Sequence, residues 1–138
     1  MIIISVLKTL RSEASTEYVK VARELSAYTL SKCVKIPKRY TYFVGIRLKE
    51  LASNIYQNAA SANVIYPQNK HEAQIRVDLL NAALGSCRAL ASQIEEAKDP
   101  CQIPIDAVKR WAELISEEER LLKGQRKVWR SKMKDLPD

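Results

Sequence analysis

Apolar residues recur at intervals of three and four along four segments of the chain, and stretches with proline or with no apolar period separate these segments. This spacing places apolar side chains on one face of an α-helix. The most regular pattern consists of Leu80, Ala83, Cys87, Leu90, Ile94 and Ala97. The four patterns predict helices over about residues 16–34, 40–62, 71–97 and 105–126.

Prolines and turn-forming residues mark the boundaries between these helices. Pro37 lacks an N–H and pushes Ile36 toward an extended conformation, so the first helix must end near that point. Residues 63–70 contain a proline and two asparagines but no apolar period, which is typical of a turn-rich connection. Pro100 ends the third helix, and Pro104 marks the start of the fourth.

The composition supports an all-α fold, because only three glycines and five prolines interrupt a chain rich in helix-forming residues. Four helices with short links are typical of an antiparallel, up-and-down four-helix bundle. We expect a single domain over residues 1–138, with an N-terminal extension (1–14) and a basic C-terminal tail (125–138). The Ile2–Ile4 run is either a short strand added to a neighbouring chain or a tail, and the C-terminal segment is either a frayed helix or disordered.

The second and third predicted helices carry apolar residues on more than one flank. A bundle helix needs only one apolar face for its own core. The extra apolar surface therefore predicts that the chain forms an oligomer.

Positive charge is concentrated in the first half of the chain. Of 23 Lys/Arg and 16 Asp/Glu, residues 1–70 hold 11 and 4, whereas residues 71–138 hold 12 and 12, so the whole net charge of +7 lies before residue 71. Such an asymmetry favours a surface that faces a polyanion. The alternative is that these lysines and arginines only solvate exposed helix faces.

A basic segment lies at the junction between the first two predicted helices. Lys35, Lys38 and Arg39 flank Pro37, and an aromatic group follows directly at Tyr40, Tyr42 and Phe43. Phosphate groups need only positive charge and hydrogen-bond donors, and exposed aromatic rings can stack on bases. We expect Phe43 to pack in the core, whereas the two tyrosines are either packed or exposed. The candidate nucleic-acid-binding residues are Lys35, Lys38, Arg39, Arg47, Lys49 and Arg76.

Residues for catalysis or metal binding show no recognisable pattern. The single histidine, His71, belongs to no Glu-x-x-His or His-Glu-x-x-His motif, and we expect it to be exposed or to cap a helix. Three cysteines without Cys-x-x-Cys spacing are typical of buried, reduced thiols. The apolar run at the N-terminus is too short for a signal peptide or a membrane span. We therefore expect a cytoplasmic protein without catalytic activity, metal or cofactor.

The order of several short motifs resembles a known family. These motifs are Ala22-x-Glu24-Leu25-x-x-Tyr28-Thr29, Pro37-Lys38-Arg39-Tyr40, Ala52-x-x-Ile55-Tyr56, Ala62-Asn63, Tyr66-Pro67-x-Asn69 and Glu72-x-x-x-Arg76. Together they resemble the four-helix bundle proteins related to the accessory variability determinant of diversity-generating retroelements. A wider group in that superfamily is similar to proteins encoded in intervening sequences of bacterial 23S rRNA genes.

The resemblance implies a bundle that assembles into a homopentameric barrel with a positively charged surface. It also implies binding to a reverse transcriptase and to template RNA or DNA, without catalysis by the bundle itself. Lys38, Arg39 and Arg76 match the family's motifs, whereas Lys35, Arg47 and Lys49 are inferred from charge alone. The leading hypothesis is thus a nucleic-acid-binding accessory protein, and the alternative is a structural or protein-interaction bundle that binds no nucleic acid.

Overall fold

The computed structural model describes residues 16–138, which form four long α-helices and no strand. We name the helices α1 to α4, and their bounds are Glu17–Cys33, Ile46–Asn63, Lys70–Ala97 and Ile105–Met133. A helical turn at Lys38–Tyr40 and a π-helical turn at Thr41–Gly45 lead directly into α2. The predicted all-α fold with four helices is confirmed, while the predicted N-terminal extension over residues 1–14 lies outside the described residues.

Local sequence signals explain where the helices begin and end. Pro37 adopts φ −52° and ψ 138°, an extended conformation that separates α1 from the helical turn that follows. Asn69 caps α3: its side-chain oxygen accepts a hydrogen bond from the backbone N–H of Glu72 at 2.8 Å, and its amide donates to the Glu72 carboxylate at 3.4 Å. The first of these bonds satisfies one of the backbone N–H groups that the first helical turn leaves free, and the second holds the two side chains together.

The core lies between the four helices, because α1 packs against α2 and α4, and α3 packs against the same two helices. Each helix contributes its apolar stripe, and small residues at Ala83 and Cys87 of α3 are fully buried. The regular stripe predicted for α3 is buried along its whole length, and it consists of Leu80, Ala83, Cys87, Leu90, Ile94 and Ala97.

A polar contact ties α1 to α4 inside this core. The indole N–H of the buried Trp111 donates to the hydroxyl of Thr29 at 2.8 Å, and that hydroxyl donates to the carbonyl of Leu25 at 2.8 Å. The ring of Tyr28 meets the Trp111 ring edge to face at 5.5 Å, and its hydroxyl donates to the carbonyl of Ala107 at 3.1 Å. These contacts fix the position of α4 against the C-terminal half of α1.

The fourth helix ends later than the sequence pattern predicted. Residues 125–133 continue α4 as regular helix rather than as a frayed or disordered tail. The half-buried ring of Trp129 lies 4.5 Å from the guanidinium carbon of Arg76, and the carbonyl of Pro137 accepts a hydrogen bond from the N–H of Lys70 at 2.8 Å. These contacts with α3 hold the C-terminal segment against the bundle.

None of the helices in residues 16–138 is both long enough and apolar enough to cross a lipid bilayer.

Candidate nucleic-acid interface

The basic segment between α1 and α2 lies on the surface of the bundle. Lys35, Lys38, Arg39 and Arg47 are exposed, and Lys49 is half-buried. They follow one another along the loop after α1, the helical turn and the first turn of α2. We call these five bases, together with the aromatic residues Tyr42 and Phe43, the junction surface.

The two aromatic rings of the junction surface point into solvent. Tyr42 is 80% exposed and Phe43 is 81% exposed, whereas Tyr40 and Val44 pack partly against the core. A helix turns only one face toward the core, so when Tyr40 and Val44 face the core, Tyr42 and Phe43 between them lie on the outer side. The prediction that Phe43 packs in the core is therefore wrong. Of the two alternatives for Tyr42, packed or exposed, the structure shows the exposed one.

Two buried thiols lie within the electrostatic influence of bases of the junction surface. The Cys33 thiol donates to the carbonyl of the buried Gly45, with sulfur and oxygen 3.6 Å apart. Burial raises the pKa of the Cys33 thiol, and the positive charge of Lys49 offsets part of that rise. Burial likewise raises the pKa of Cys101, and here Arg39 supplies the opposing charge. Arg39 therefore lies beside the connection between α3 and α4.

Within residues 16–138, the bases of the junction surface have no acidic partner. In the part of the chain that the structure describes, ion pairs involve Lys70, Lys98, Arg110 and Arg120 but none of these five bases. Arg39 instead stacks on Tyr40, with its guanidinium carbon 5.0 Å from the ring centre. No ion pair among residues 16–138 thus neutralises this positive charge.

A groove between α1 and α2 extends away from the junction surface and includes one of its bases. It has a volume of about 460 Å³ and is lined by Ser26, Leu30, Lys49, Glu50, Ser53, Asn54 and Gln57. Most of these side chains can form hydrogen bonds. The groove therefore offers polar contacts next to the cluster of positive charge.

Arg76, the sixth candidate, lies inside the protein. It is only 6% exposed, and its guanidinium donates to the carbonyl of Ile65 at 2.7 Å and to the hydroxyl of Tyr18 at 3.3 Å. Tyr18 in turn donates to the side-chain oxygen of Asn63 at 3.0 Å. Arg76 thus holds the connection after α2 to α1 and α4, and it is not part of the junction surface.

The sequence interpretation missed a buried carboxyl group in α4. Glu113 and Glu117 of this helix pair at the surface with Arg110 and Arg120. Glu118, however, is fully buried, and neither of its oxygens has a hydrogen-bond partner. Burial, and secondarily the charge of Glu117, raises the pKa of Glu118 to about 9. The sequence did contain a signal for this burial, because Glu118 lies four residues from both Leu114 and Leu122, on the apolar face of the helix.

The groups considered for catalysis have contrasting environments. His71 is exposed at the start of α3, where Asn69 rather than His71 provides the cap. Cys33, Cys87 and Cys101 are free and buried, as predicted, and burial raises the pKa of each thiol. A raised pKa disfavours the thiolate, which is the reactive form of cysteine. Among residues 16–138, no three His, Cys, Asp or Glu side chains come together as a metal site.

No family model, no curated protein and no solved structure matches the chain.

Proposed function

We propose that this protein binds single-stranded nucleic acid through the junction surface and has no catalytic activity of its own. The observation that carries this proposal is the exposure of Tyr42 and Phe43, at 80% and 81%, among five bases that form no ion pair with any residue in the range 16–138. Exposure of large aromatic rings to water is energetically unfavourable. A surface that presents two of them is therefore best explained by a ligand that covers it.

The two kinds of residue match the two parts of a nucleic acid. Lysine and arginine attract phosphates and release the counterions that surround them. Exposed aromatic rings stack on unpaired bases, with about 1–3 kcal/mol per base, whatever the base identity. In a duplex the faces of the bases are covered by the neighbouring base pairs, so the rings add affinity for single strands rather than for duplexes.

The resemblance described above supports a more specific role. On that basis we propose that the chain forms an antiparallel, up-and-down bundle, assembles into a homopentamer in the cytoplasm, and presents RNA or cDNA to a reverse transcriptase. Two contacts support the antiparallel order, because Tyr18 near the start of α1 meets Asn63 at the end of α2, and Cys33 meets Gly45. Affinity capture of the tagged chain from its native cells should recover a reverse transcriptase together with RNA.

Light scattering on the purified protein tests the assembly. One chain has a mass of 15.7 kDa, so five copies give 5 × 15.7, or about 79 kDa. A mass of one chain at micromolar concentration would overturn the pentamer and leave the nucleic-acid surface to be judged by binding alone.

Binding of labelled oligonucleotides across a salt series tests the function. The probes are a 20-nucleotide oligo-U, an oligo-dT and a blunt DNA duplex of the same length. We expect the Lys38→Glu/Arg39→Glu variant to weaken binding to all three probes by at least about tenfold and to flatten the salt dependence. Tyr42→Ala/Phe43→Ala should weaken single-strand binding by about tenfold and duplex binding much less.

A matched control separates the surface from overall charge. Lys20→Glu/Lys109→Glu reverses the same number of charges at exposed positions outside the junction surface. Equal losses in this control and in Lys38→Glu/Arg39→Glu would show that net charge, not the junction surface, drives binding. Absence of binding by the wild type at low salt would refute the proposed function and favour the alternative, in which Tyr42 and Phe43 meet a protein partner.

A further inference from the structure

A second strongly basic region lies on the C-terminal half of α4, and the split of the sequence at residue 70 conceals it. Residues 71–119 contain 5 Lys/Arg and 10 Asp/Glu, a net charge of 5 − 10 = −5. Residues 120–138 contain 7 Lys/Arg and 2 Asp/Glu, a net charge of 7 − 2 = +5. The two opposite charges cancel in the total for the second half.

The structure arranges these bases along one side of a single helix. Lys123, Lys127, Arg130 and Lys134 are all exposed and follow one another at spacings of four, three and four. Residues at such spacings are neighbours on a helix surface. With Arg126 and Ser131 they line an open concavity of about 450 Å³ that contains no acidic residue. We call this surface the α4 ridge.

Contacts with the rest of the bundle hold the α4 ridge in place. Arg126 donates to the side-chain oxygen of Asn81 in α3 at 3.0 Å. On the inner side of the helix, the ring of Trp129 lies between Arg76, at 4.5 Å, and the ammonium group of Lys132, at 4.8 Å. A surface that is ordered before binding loses little conformational entropy when a ligand arrives.

The described residues do not balance the charge of the α4 ridge through ion pairs. Within the described part of the chain, none of its bases takes part in an ion pair. Like charges three or four residues apart destabilise a helix, and the favourable effect of cations on the helix dipole reaches only the last turn. Lys123 and Lys127 lie well before the end of α4 at Met133. Neither helix stability nor internal pairing therefore accounts for them.

We propose that the α4 ridge is a second nucleic-acid contact, which binds the phosphate backbone without contacting bases. From Lys123 to Lys134 the helix rises about 16 Å, the length of about five nucleotides in one strand of a duplex. The only aromatic side chain in this part of α4, Trp129, is half-buried against Arg76 and is not available for stacking. The α4 ridge therefore binds duplex and single strand alike, unlike the junction surface.

The two surfaces are far apart on the molecule. Trp111 contacts Thr29 near the end of α1, close to the junction surface, and Arg130 lies 19 residues further along α4. At 1.5 Å per residue this separation is about 28 Å. One nucleic acid can thus occupy both surfaces only if it extends along the bundle.

Three variants of the full chain, each with three charges removed, test this proposal and distinguish it from the proposed function. The ridge variant is Lys123→Gln/Lys127→Gln/Arg130→Gln, and the junction variant is Lys35→Gln/Lys38→Gln/Arg39→Gln. The control variant is Lys20→Gln/Arg88→Gln/Lys109→Gln, at exposed positions elsewhere. Each is titrated with a blunt 20-base-pair DNA duplex, with oligo-dT of 20 nucleotides, and with phosphatidylserine vesicles.

We expect the ridge variant to bind the duplex at least tenfold more weakly than the wild type at 150 mM salt. Loss of three phosphate contacts should make the plot of log affinity against log salt concentration less steep, by about 2.7 in slope. The control variant should change duplex affinity by less than threefold. Circular dichroism of all three variants establishes that each retains the helical fold.

Each remaining outcome decides between the surfaces. If the ridge variant binds the duplex as the control does, the α4 ridge is not a nucleic-acid contact. The junction variant can still lose affinity for oligo-dT in that case, which would support the proposed function. If the junction variant binds oligo-dT as the control does, while the ridge variant loses affinity for the duplex, the proposed function fails and the α4 ridge stands. If the ridge variant loses affinity for the vesicles but not for the duplex, the α4 ridge binds a lipid surface instead, and the proposal is overturned.

Discussion

At the scale of single residues, Glu118 is the most unusual side chain in the protein. Within residues 16–138 it is fully buried, and neither of its oxygens has a hydrogen-bond partner. Burial raises its pKa from the usual 4.5 to about 9, so the folded protein keeps this carboxyl protonated near neutral pH. The unfolded chain releases that proton above pH 4.5.

Glu118 should therefore make the protein less stable as the pH rises. Between the unfolded and folded pKa values only the folded state binds the proton, so the free energy of unfolding falls by about 1.4 kcal/mol per pH unit. Glu118→Gln cannot ionise and should remove this contribution. We expect the free energy of unfolding of the variant, relative to that of the wild type, to rise by about 3 kcal/mol between pH 5.5 and pH 8. Urea unfolding at the two pH values measures this change. Parallel pH profiles would show that Glu118 is ionised in the folded protein.

Thr29 provides a second test at a single residue, because its hydroxyl accepts the only hydrogen bond found for the buried indole N–H of Trp111. Thr29→Val keeps the shape and removes the acceptor. A buried donor without a partner costs about 1–3 kcal/mol, so we expect a loss of that size in the free energy of unfolding. Ser31→Ala is the control, since the Ser31 hydroxyl is exposed and its loss should cost less than about 0.5 kcal/mol. Equal effects of the two substitutions would contradict the assigned hydrogen bond.

At the scale of secondary structure, α4 shows how a tertiary contact extends a helix. Its apolar pattern weakens after Leu122, and Gly124 favours helix less than most residues do. The helix nevertheless continues to Met133, because Trp129 packs against the core and against Arg76. Packing outweighs local propensity at this end of the bundle.

Trp129→Ala should therefore destabilise the last turns of α4 and the whole domain. We expect a loss of about 2–3 kcal/mol in the free energy of unfolding, less than for a fully buried tryptophan because the ring is half-buried. Val128→Ala, at a neighbouring position with 44% exposure, should cost less than about 0.5 kcal/mol. Hydrogen exchange of the amides of residues 125–133 should accelerate only in the tryptophan variant. Rapid exchange of these amides in the wild type would instead favour a frayed C-terminal helix.

At the scale of the whole molecule, the two basic surfaces lie at different levels of one rigid bundle. Two contacts on one nucleic acid bind far more tightly than either alone, provided that the strand spans the distance between them. If both proposals hold, a probe with a 20-base-pair duplex and a 20-nucleotide dT tail should bind at least tenfold more tightly than either part. Either the ridge or the junction variant should abolish this gain. Anisotropy titrations at one fixed salt concentration measure it, and equal affinity for the joined and separate parts would show that the surfaces do not act on one strand.

The chain's sequence by itself determined the four helices, their stripes and most of their ends. Helical spacing, prolines and helix-forming residues act locally, so the short-range pattern contains this information. The basic character of the segment from Lys35 to Arg39 was equally visible, since charge is a property of composition.

Tertiary structure alone decided which of these side chains remain free to bind a ligand. Arg76 and Phe43 exchanged their expected places: the arginine is buried on Ile65, Tyr18 and Trp129, while the phenylalanine is 81% exposed. An arginine can be buried when partners from other helices accept its N–H groups, and those partners come from parts of the chain up to 58 residues away. A phenylalanine remains exposed when the rotation of its helix turns it away from the core, and small changes in helical winding before α2 set that rotation. Both outcomes depend on how the helices pack together, which no local pattern specifies.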